Sequence, residues 1–439
     1  MPSHETRVAE LVEDGAKRTI EIGETLRSMP ELGFRESRTA AFLAAELRAT
    51  GAEVETGLAV TGLRASSGPA GAPEILIVAD MDALPTTGAP GGIAHSCGHS
   101  AQMAMALAVF KALVASGLPA REGVRIVFLG APAEEYTDTE YRLSLRDRGE
   151  IRLFSGKQEL IRLGAFDRAV AVLKYHSMAD EPGRQATVNG TLNGFIAKRA
   201  TFLGKAAHSG AFPERGINAF NAAAIAQLAI HAQRETFRDE DHIRVHPILR
   251  EGGTIVNTVP DRAIMETYVR GASFDAILDA STKVDRALAA GAVAVGAELR
   301  IENYPGYQPF LPSPELGKTL GEATLAYIDE RNVDFADRSF ASDDIGDVAS
   351  LAPTCQLGCG GFAGTIHGAD FHPVDLRRAY VVPALILAMT AVALAAEGGR
   401  AALAARTAFR PRFTKDEYVR AVEGLLSSRT MAWKPPAAD

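Results

Sequence analysis

The sequence predicts an α/β fold in which a mixed, mainly parallel sheet carries a second, smaller α+β domain as an insertion. Short apolar runs rich in Val and Ile at 75–78, 124–129 and 169–173 alternate with helical patterns, as parallel strands do. The pattern then changes to a strand–helix–strand–strand–helix–strand order, and it returns to α/β after a loop rich in Pro at 305–314. With 439 residues, the chain is also too long for one compact core. We therefore expect a discontinuous domain of residues 1–187 and 305–439, and an inserted domain of residues 188–304.

The first part of the chain shows helical periodicity in three places. Glu5 to Ser28 is amphipathic, Arg38 to Thr50 is a second helical stretch closed by Gly51, and Ala101 to Ser116 is a third. Because these helices alternate with the apolar runs, they favour parallel pairing of the strands.

The sequence pattern of the inserted domain predicts a small antiparallel sheet covered on one face by two helices. This is the split βαβ arrangement known as ferredoxin-like. Its predicted strands and helices are, in turn, Gly194–Phe202, Ile243–Gly252, Thr254–Arg270 and Glu298–Asn303, and Ile217–Arg234 and Ser273–Val295.

Composition excludes several classes of protein. The net charge of −8 and the lack of a basic tract argue against nucleic acid as a partner. Three cysteines argue against a disulfide framework. Met1 to Arg18 lacks the apolar stretch of a secretory signal, so we expect a cytoplasmic protein. The apolar segment Ala379 to Ala396 approaches the length of a membrane span, but its many alanines and Pro383 favour a buried core helix.

Acidic and imidazole side chains follow all three apolar runs. Asp80 and Asp82 follow the first, Glu134 and Glu135 the second, and His176 the third. Because ligands gather at the carboxyl ends of parallel strands, we expect these side chains to converge on one edge of the sheet. Neighbouring glutamates point in different directions, so one can bind metal while the other acts as a base.

Two further segments carry residues that bind metal. Cys97 and His99 are separated by one glycine, which permits a tight backbone path, and His367 lies in a glycine-flanked loop. A thiolate with imidazoles suits zinc, or manganese or cobalt if carboxylates join them. Each residue alone is more often structural, but their joint occurrence at three strand ends favours a metal-dependent hydrolase. Cys355 and Cys359 lack a matching pair, so we interpret them as buried structural thiols.

Five motifs in a fixed order resemble one enzyme family. The chain resembles the metallopeptidase-like amidohydrolases, which include aminoacylases, glutamate-releasing carboxypeptidases, hippurate hydrolases, indole-acetyl-amino-acid hydrolases and aminobenzoyl-glutamate hydrolases. The motifs are Pro30-Glu31-Leu32-Gly33-Phe34, Ala79-Asp80-Met81-Asp82-Ala83-Leu84-Pro85, His95-x-Cys97-Gly98-His99, Pro132-Ala133-Glu134-Glu135 and Gly252-Gly253-Thr254-x-x-Asn257-x-x-Pro260-Asp261. The segment Ser342 to Val348 is similar to the aminobenzoyl-glutamate branch.

The resemblance implies roles for particular residues. Glu134 matches the general base, Asp82 a carboxylate that orients a ligand, and His208 a histidine that holds the substrate and the oxyanion, usually across a dimer interface. Asn257 and Arg270 match positions near the substrate carboxylate, although Arg270 could instead be a surface residue or pair with an acid such as Glu266. One or two ions of Mn or Zn, with Co as a further option, would be bound by the matching ligands Cys97, His99, Glu135, His176 and His367.

The resemblance also implies a homodimer formed through the inserted domain, which would act as a lid and dimerisation domain. The first helix of that domain, predicted over Ile217–Arg234, offers apolar positions for a symmetric contact. These positions are Ala222, Ile225, Leu228 and Ala229.

Two departures from the family pattern keep the substrate open. Ser100 stands where the family usually has Asp, and the stretch from Tyr136 to Asp167 is longer than in simpler members. The favoured function is hydrolysis of the C–N bond of an N-acyl or N-aroyl amino acid with a free carboxylate. The alternative is an aminohydrolase that removes the amino group of an aromatic amine, as 5-nitroanthranilic acid aminohydrolase does. A metal-binding protein without turnover is the third hypothesis.

Overall fold

The three apolar runs form the centre of a nine-stranded sheet in the computed structural model, which describes residues 4–432. Four strands lie side by side and parallel in the order Arg125–Ala131, Glu74–Asp80, Ala169–Ala179 and Thr354–Ala363. The first two are buried along their whole length, as expected of strands covered by helices on both faces. The predicted mixed, mainly parallel sheet is therefore confirmed.

Shorter strands extend this sheet on both sides, most of them in antiparallel pairs. They are Glu53–Leu58 and Gly62–Ser67 on one side, and Ala186–Val188, Val333–Asp334 and His372–Pro373 on the other.

The helices differ from the predicted bounds mainly at glycines. The first predicted helix is two helices, because Gly15 separates them. The helix after Gly98 starts directly at the proposed ligand His99, since Gly98 adopts a left-handed conformation with a φ of 81°. The sheet and these helices belong to the first of two compact units, which contains residues 4–191, 311–338 and 347–415. Its main helices are His4–Asp14, Ala16–Arg27, Ser37–Arg48, His99–Ala115, Leu118–Glu122, Thr139–Asp147, Gly156–Arg162, Pro314–Leu325 and Val382–Ala408.

One helix in the described part of the chain is apolar and long enough to cross a membrane. It runs over Arg377–Ala408, which includes the helix Val382–Ala408 named above, and 78% of its most apolar stretch is buried within the protein. Leu385, Leu387 and Leu394 are among its side chains in the main core. The apolar segment is therefore a core helix, which is what its alanines predicted.

A second unit consists of Leu192–Phe310, Ser339–Gly346 and the segment 416–432. Its two helices pack on a shared core with the sheet, and every strand pair in it is antiparallel. The strands in spatial order are Arg244–Val245, Arg262–Gly271, Gly194–Leu203, Glu298–Pro305 and Ser427–Ala432, with Ile248–Glu251 also paired to Arg262–Gly271, and the helices are Ala219–Ala232 and Phe274–Val295.

Two predicted strands of this unit are shorter than expected for identifiable reasons. The strand predicted over Ile243–Gly252 is interrupted at Pro247, which has no N–H to donate. The strand predicted from Thr254 begins only at Arg262, because Gly253, with a φ of 120°, and Pro260 form a loop before it. The segments 339–346 and 416–432 group with this unit, whereas the sequence had placed them with the other one.

Candidate metal centre and active site

The first unit brings all five predicted ligands together at the carboxyl ends of its parallel strands. Cys97 Sγ lies 3.5 Å from His176 Nε2, and His367 Nε2 lies 3.5 Å from Glu135 Oε1. The ligand atoms of Cys97, His99 and His176 lie within 4.8 Å of one another, as do those of Cys97, Glu135 and His367. Cys97 belongs to both groups. The arrangement could therefore hold one ion, or two ions that share the thiolate.

His99 shows that the donor set fits a metal ion. Its Nδ1 lies 2.8 Å from the main-chain oxygen of Asp82, so Nδ1 carries the proton and donates it there. Metal binding requires the neutral ring, in which Nε2 is an acceptor, and this atom is buried without a hydrogen-bond partner among the residues that the structure describes. Glu135 Oε1 is likewise buried and without a hydrogen bond in the described part. Buried polar atoms need partners, and a bound cation would serve both.

Electrostatics favour a cation at the same place. Burial acts to lower the pKa of His99. The contact with the Asp82 carboxylate and the negative charges of Asp80 and Asp82 outweigh burial and raise this pKa to about 9. Burial also raises the pKa of Glu135. The site thus concentrates negative charge where water is scarce, and a divalent ion would neutralise it.

Contacts with Asp82 and His99 fix the positions of the paired residues Glu134 and Glu135. Asp82 accepts the main-chain N–H of Glu135 at 2.9 Å through Oδ2, while its Oδ1 lies 3.4 Å from His99 Nδ1. Glu134 Oε2 lies 3.7 Å from His99 Nε2. Asp82 therefore orients both a ligand residue and the turn that carries Glu134 and Glu135.

Sequence reasoning missed a buried charge cluster beneath the ligands. Asp80, Lys157 and Lys174 are all fully buried, and Lys174 Nζ lies 2.7 Å from Asp80 Oδ2 while Lys157 contacts the other oxygen. Although burial acts to raise it, the two ammonium groups hold the pKa of Asp80 well below its usual range. Because both oxygens face lysines, Asp80 is a structural anion rather than a ligand. The one signal in the sequence was Lys174, a charge inside an apolar run.

In the second unit, His208 and Asn257 lie on neighbouring loops. His208 Nδ1 accepts the main-chain N–H groups of Gly210 and Ala211 at 3.2 and 3.1 Å, so its Nε2 carries the proton and can donate it. The main-chain oxygen of Asn257 accepts the N–H of Ser209 at 3.0 Å. His208 is exposed and is therefore accessible as a donor.

Arg270 lies elsewhere in the second unit, at the far end of the strand Arg262–Gly271. Its Nη1 donates to Ser342 Oγ at 2.6 Å, and its guanidinium lies 5.4 and 5.3 Å from the ring centres of Phe195 and Tyr268. It borders a cavity of about 330 Å³ whose lining is Arg244, His246, Ile248, Glu266, Thr267, Tyr268 and Arg270.

Glu266 does not pair with Arg270, which was one alternative from the sequence. It pairs with Arg199, whose Nη2 lies 2.8 Å from Glu266 Oε1, and with Arg250, whose Nε lies 3.6 Å from Oε2. Eight residue steps of about 3.3 Å separate Arg270 from the start of its strand, roughly 26 Å. Asn257 precedes that start, so Asn257 and Arg270 of one chain do not contact the same carboxylate.

Comparison with known proteins agrees with this geometry. The model of peptidase family M20/M25/M40 matches residues 76–382. The mouse (Mus musculus) Xaa-Arg dipeptidase is 28% identical over 368 residues, which cover 79% of this chain and 77% of the dipeptidase.

Two solved structures share the fold. The Bacillus subtilis YXEP protein, a dinuclear metal-binding peptidase of the M20 family, superposes with a TM-score of 0.65 at 22% identity, covering 87% of this chain and 99% of the other. The aminobenzoyl-glutamate utilization protein of Klebsiella pneumoniae gives a TM-score of 0.65 at 20% identity, covering 88% and 98%. Since the family model spans well over half of the sequence, the chain belongs to peptidase family M20/M25/M40, whose members hydrolyse C–N bonds.

Proposed function

We propose that the protein hydrolyses the C–N bond of an N-acyl or N-aroyl amino acid with a free carboxylate, using one or two divalent ions. The observation that carries this proposal is the cluster of five ligand side chains beside Glu134, a carboxylate that is near the cluster and adjacent in sequence to the ligand Glu135. The aminobenzoyl-glutamate named for the Klebsiella structure is an aroyl amino acid of this kind.

The ions would be held by Cys97, His99, Glu135, His176 and His367. Thiolate and imidazole donors with one carboxylate favour zinc, and manganese or cobalt are compatible with the same set. Two ions are supported by the overlap of the two ligand groups at Cys97 and by the dinuclear site of the Bacillus protein.

A bound divalent ion supplies Lewis acidity and lowers the pKa of water toward neutrality. Glu134 takes a proton from the attacking water as its oxygen adds to the substrate carbon. Glu134 then gives the proton to the departing nitrogen, so that the C–N bond breaks to leave a neutral amine. His208 donates its Nε2–H to the oxyanion that develops on the substrate.

Arg270 is the proposed partner of the substrate carboxylate. Its planar fork can bind both oxygens of a carboxylate, and the rings of Phe195 and Tyr268 hold that fork in place. Arg244 lines the same cavity and adds a second positive charge, while Glu266 in that lining is paired with Arg199. This lining suits an organic acid better than a neutral amide.

An aromatic acid fits the same lining, which keeps a second candidate function open. An aminohydrolase that acts on an aromatic amine such as 5-nitroanthranilate would use the same water, base and arginine. The ring of Tyr268 beside Arg270 favours a substrate in which a carboxylate adjoins an aromatic ring.

We further propose a cytoplasmic homodimer in which His208 and Asn257 act at the site of a second copy of the chain. In one chain, Asn257 and Arg270 are too far apart to contact the same substrate carboxylate, and this separation supports action of His208 and Asn257 across a dimer. Exposed apolar side chains on the helix Ala219–Ala232 supply a surface for the contact, with Leu228 exposed to 69%. Of the positions predicted for it, Ala222 is instead buried in the core of its own unit.

The test of the proposed function is Glu134→Gln, assayed with Mn or Zn against N-acyl and N-aroyl amino acids and against aminobenzoates. We expect the variant to keep its metal and to lose activity by about 10²-fold or more, because it lacks the proton acceptor. Glu140→Gln, which removes an exposed carboxylate six residues later, is the control. Near-normal turnover in Glu134→Gln would remove this residue as the base, and release of ammonia from the aminobenzoates alone would select the second candidate.

A further inference from the structure

The segment from Tyr136 to Asp167 follows the paired glutamates and forms two short helices. It contains the helices Thr139–Asp147 and Gly156–Arg162. Asp138 caps the first helix by accepting the N–H of Tyr141, and Ser155 caps the second through a reciprocal capping box. The first helix carries Arg142, an arginine that is only 2% exposed.

Arg142 donates to main-chain oxygens rather than to carboxylates. Its Nε lies 2.8 Å from the oxygen of Thr137, and its Nη1 lies 3.3 Å from the oxygen of Ala133. The same guanidinium contacts the oxygens of Glu135 and Phe154. Three of these four acceptors belong to residues 133–137, the turn that carries Glu134 and Glu135.

That turn needs support, because its first residue is strained. Ala133 has a φ of 53°, a left-handed conformation that is unfavourable for a residue with a Cβ. Glu36 accepts the N–H of Ala133 at 2.8 Å, and Asp82 accepts the N–H of Glu135 at 2.9 Å. Carboxylates thus hold the N–H groups of the turn from one side, while Arg142 holds its carbonyls from the other.

The surroundings of Arg142 leave it little freedom to move. The rings of Phe34 and Tyr136 lie 5.3 and 5.2 Å from the guanidinium carbon. A Cβ added to Gly33 would lie 2.9 Å from the Cα of Ala133, so the two loops are in direct contact. A buried cation is tolerated only where its donors are satisfied, and here those donors are satisfied by the turn itself.

We propose that Arg142 is a positioning residue, which fixes the turn 133–137 so that Glu134 and Glu135 stay in the geometry required for base and ligand. This inference rests on the proposed function for the roles of the two glutamates. The competing explanation is that Arg142 only anchors its own helix. Residues that orient metal ligands typically change metal affinity or activity by 10- to 100-fold when they are removed, whereas a helix anchor changes stability alone.

The experiment compares Arg142→Lys and Arg142→Met with Arg148→Met as the matched control. Arg148 follows the same helix, is about half exposed, and pairs with Glu150 at 2.5 Å. Lysine keeps the cation but loses the fork, so it cannot reach all the carbonyls. The measurements are amide hydrogen exchange of residues 133–137 in metal-free protein, zinc affinity by competition with a chelator, and kcat and KM.

In both Arg142 variants we expect exchange at 133–137 to accelerate at least tenfold, zinc affinity to fall about 10- to 100-fold, and kcat to fall while KM changes less than threefold. Arg148→Met should match wild type. In a Glu135→Gln background, Arg142→Lys should weaken zinc binding no further, since the two changes act through one ligand.

Unchanged exchange at 133–137, together with wild-type zinc affinity per folded molecule, would overturn the proposal and leave Arg142 as a helix anchor. If Arg142→Met does not fold, Arg142→Lys carries the test. If wild type hydrolyses none of the substrates, the proposed function fails, and exchange and zinc affinity still decide the role of Arg142.

Discussion

At the scale of single residues, main-chain contacts decide which nitrogen of each histidine carries the proton. The hydrogen bond from His99 Nδ1 to Asp82 leaves Nε2 for metal, and the two N–H groups that His208 Nδ1 accepts leave its Nε2 as a donor. Two histidines thus have opposite roles, acceptor and donor, which their main-chain contacts assign.

The ligand cluster predicts that Cys97→Ala and His367→Ala each lower metal occupancy. Cys97 belongs to both ligand groups, so we expect its loss to affect every ion in the site, whereas His367→Ala should affect one group. Metal content by elemental analysis checks this. Cys355→Ala removes a buried thiol outside the cluster and should keep full occupancy. Full metal in both of the first two variants would show that the ligand set is wrong.

The contacts of Arg270 predict a preference for substrates with a free carboxylate. Arg270→Ala should lower kcat/KM for the acid by about 10- to 100-fold, the value of a charge-assisted hydrogen bond, and should leave the corresponding amide unchanged. The comparison is kcat/KM for an acid and its amide in both proteins. Arg250→Ala, which removes a more exposed arginine of the same unit, is the control. Equal slowing of both substrates would exclude Arg270 from the binding site.

Residue types and their places at strand ends were enough to predict which side chains lie together in the cluster, because ligands gather at the carboxyl ends of parallel strands. The supporting charges were not predictable. Lys157 contacts a carboxylate that is distant in the sequence, and Arg142 contacts main-chain oxygens. Nothing in the local sequence indicates whether a long cationic side chain is solvated or buried.

At the scale of elements, the buried strands were predictable because continuous apolar runs have few other uses. In the second unit, the limits of two predicted strands were not predictable, because they depend on Pro247 and on the loop around Pro260. The strand Ser427–Ala432 had no signal at all, since it is almost wholly exposed and lacks apolar alternation. Its place follows from pairing with Glu298–Pro305, a contact between distant parts of the chain.

Lys198, on the strand Gly194–Leu203, predicts a pH-dependent stability. Burial lowers its pKa from 10.5, and the charge of Asp285 at 2.8 Å offsets this only in part. Between the folded pKa and the unfolded pKa of 10.5, the folded state binds fewer protons than the unfolded chain, so stability rises with pH across that range, and below the folded pKa this lysine adds no pH dependence.

Lys198→Met should remove that alkaline rise, because the titrating group is gone. Asp285 keeps Arg429 as a partner at 2.6 Å, so the free energy of unfolding at pH 7 should stay within about 1 kcal/mol of wild type. Denaturant unfolding between pH 7 and 10.5 is the measurement, with Lys205→Met, an exposed lysine, as control. An unchanged slope in Lys198→Met would assign the pH dependence to other groups.

At the scale of the whole molecule, a dimer would bring His208 and Asn257 to the site of a second copy. Leu228→Glu should then convert a dimer into a monomer, because it introduces a charge at the centre of the proposed contact. Light scattering at micromolar concentration measures the mass. Leu278→Glu, at an exposed apolar position of the other helix, should remain dimeric. A monomeric wild type would contradict the prediction.

The interruption of the first unit by the second also sets an order of events during synthesis. His176 and His367 are 191 positions apart, so a ribosome that adds about 5–20 residues per second makes them roughly 10–40 s apart. Once Pro305 has been made, the strands Gly194–Leu203, Arg262–Gly271 and Glu298–Pro305 are complete and can pair, whereas the strand Thr354–Ala363 of the central sheet does not yet exist. The nascent chain therefore presents four of the five proposed ligands before the last one, and the full centre forms only after the inserted unit has been made.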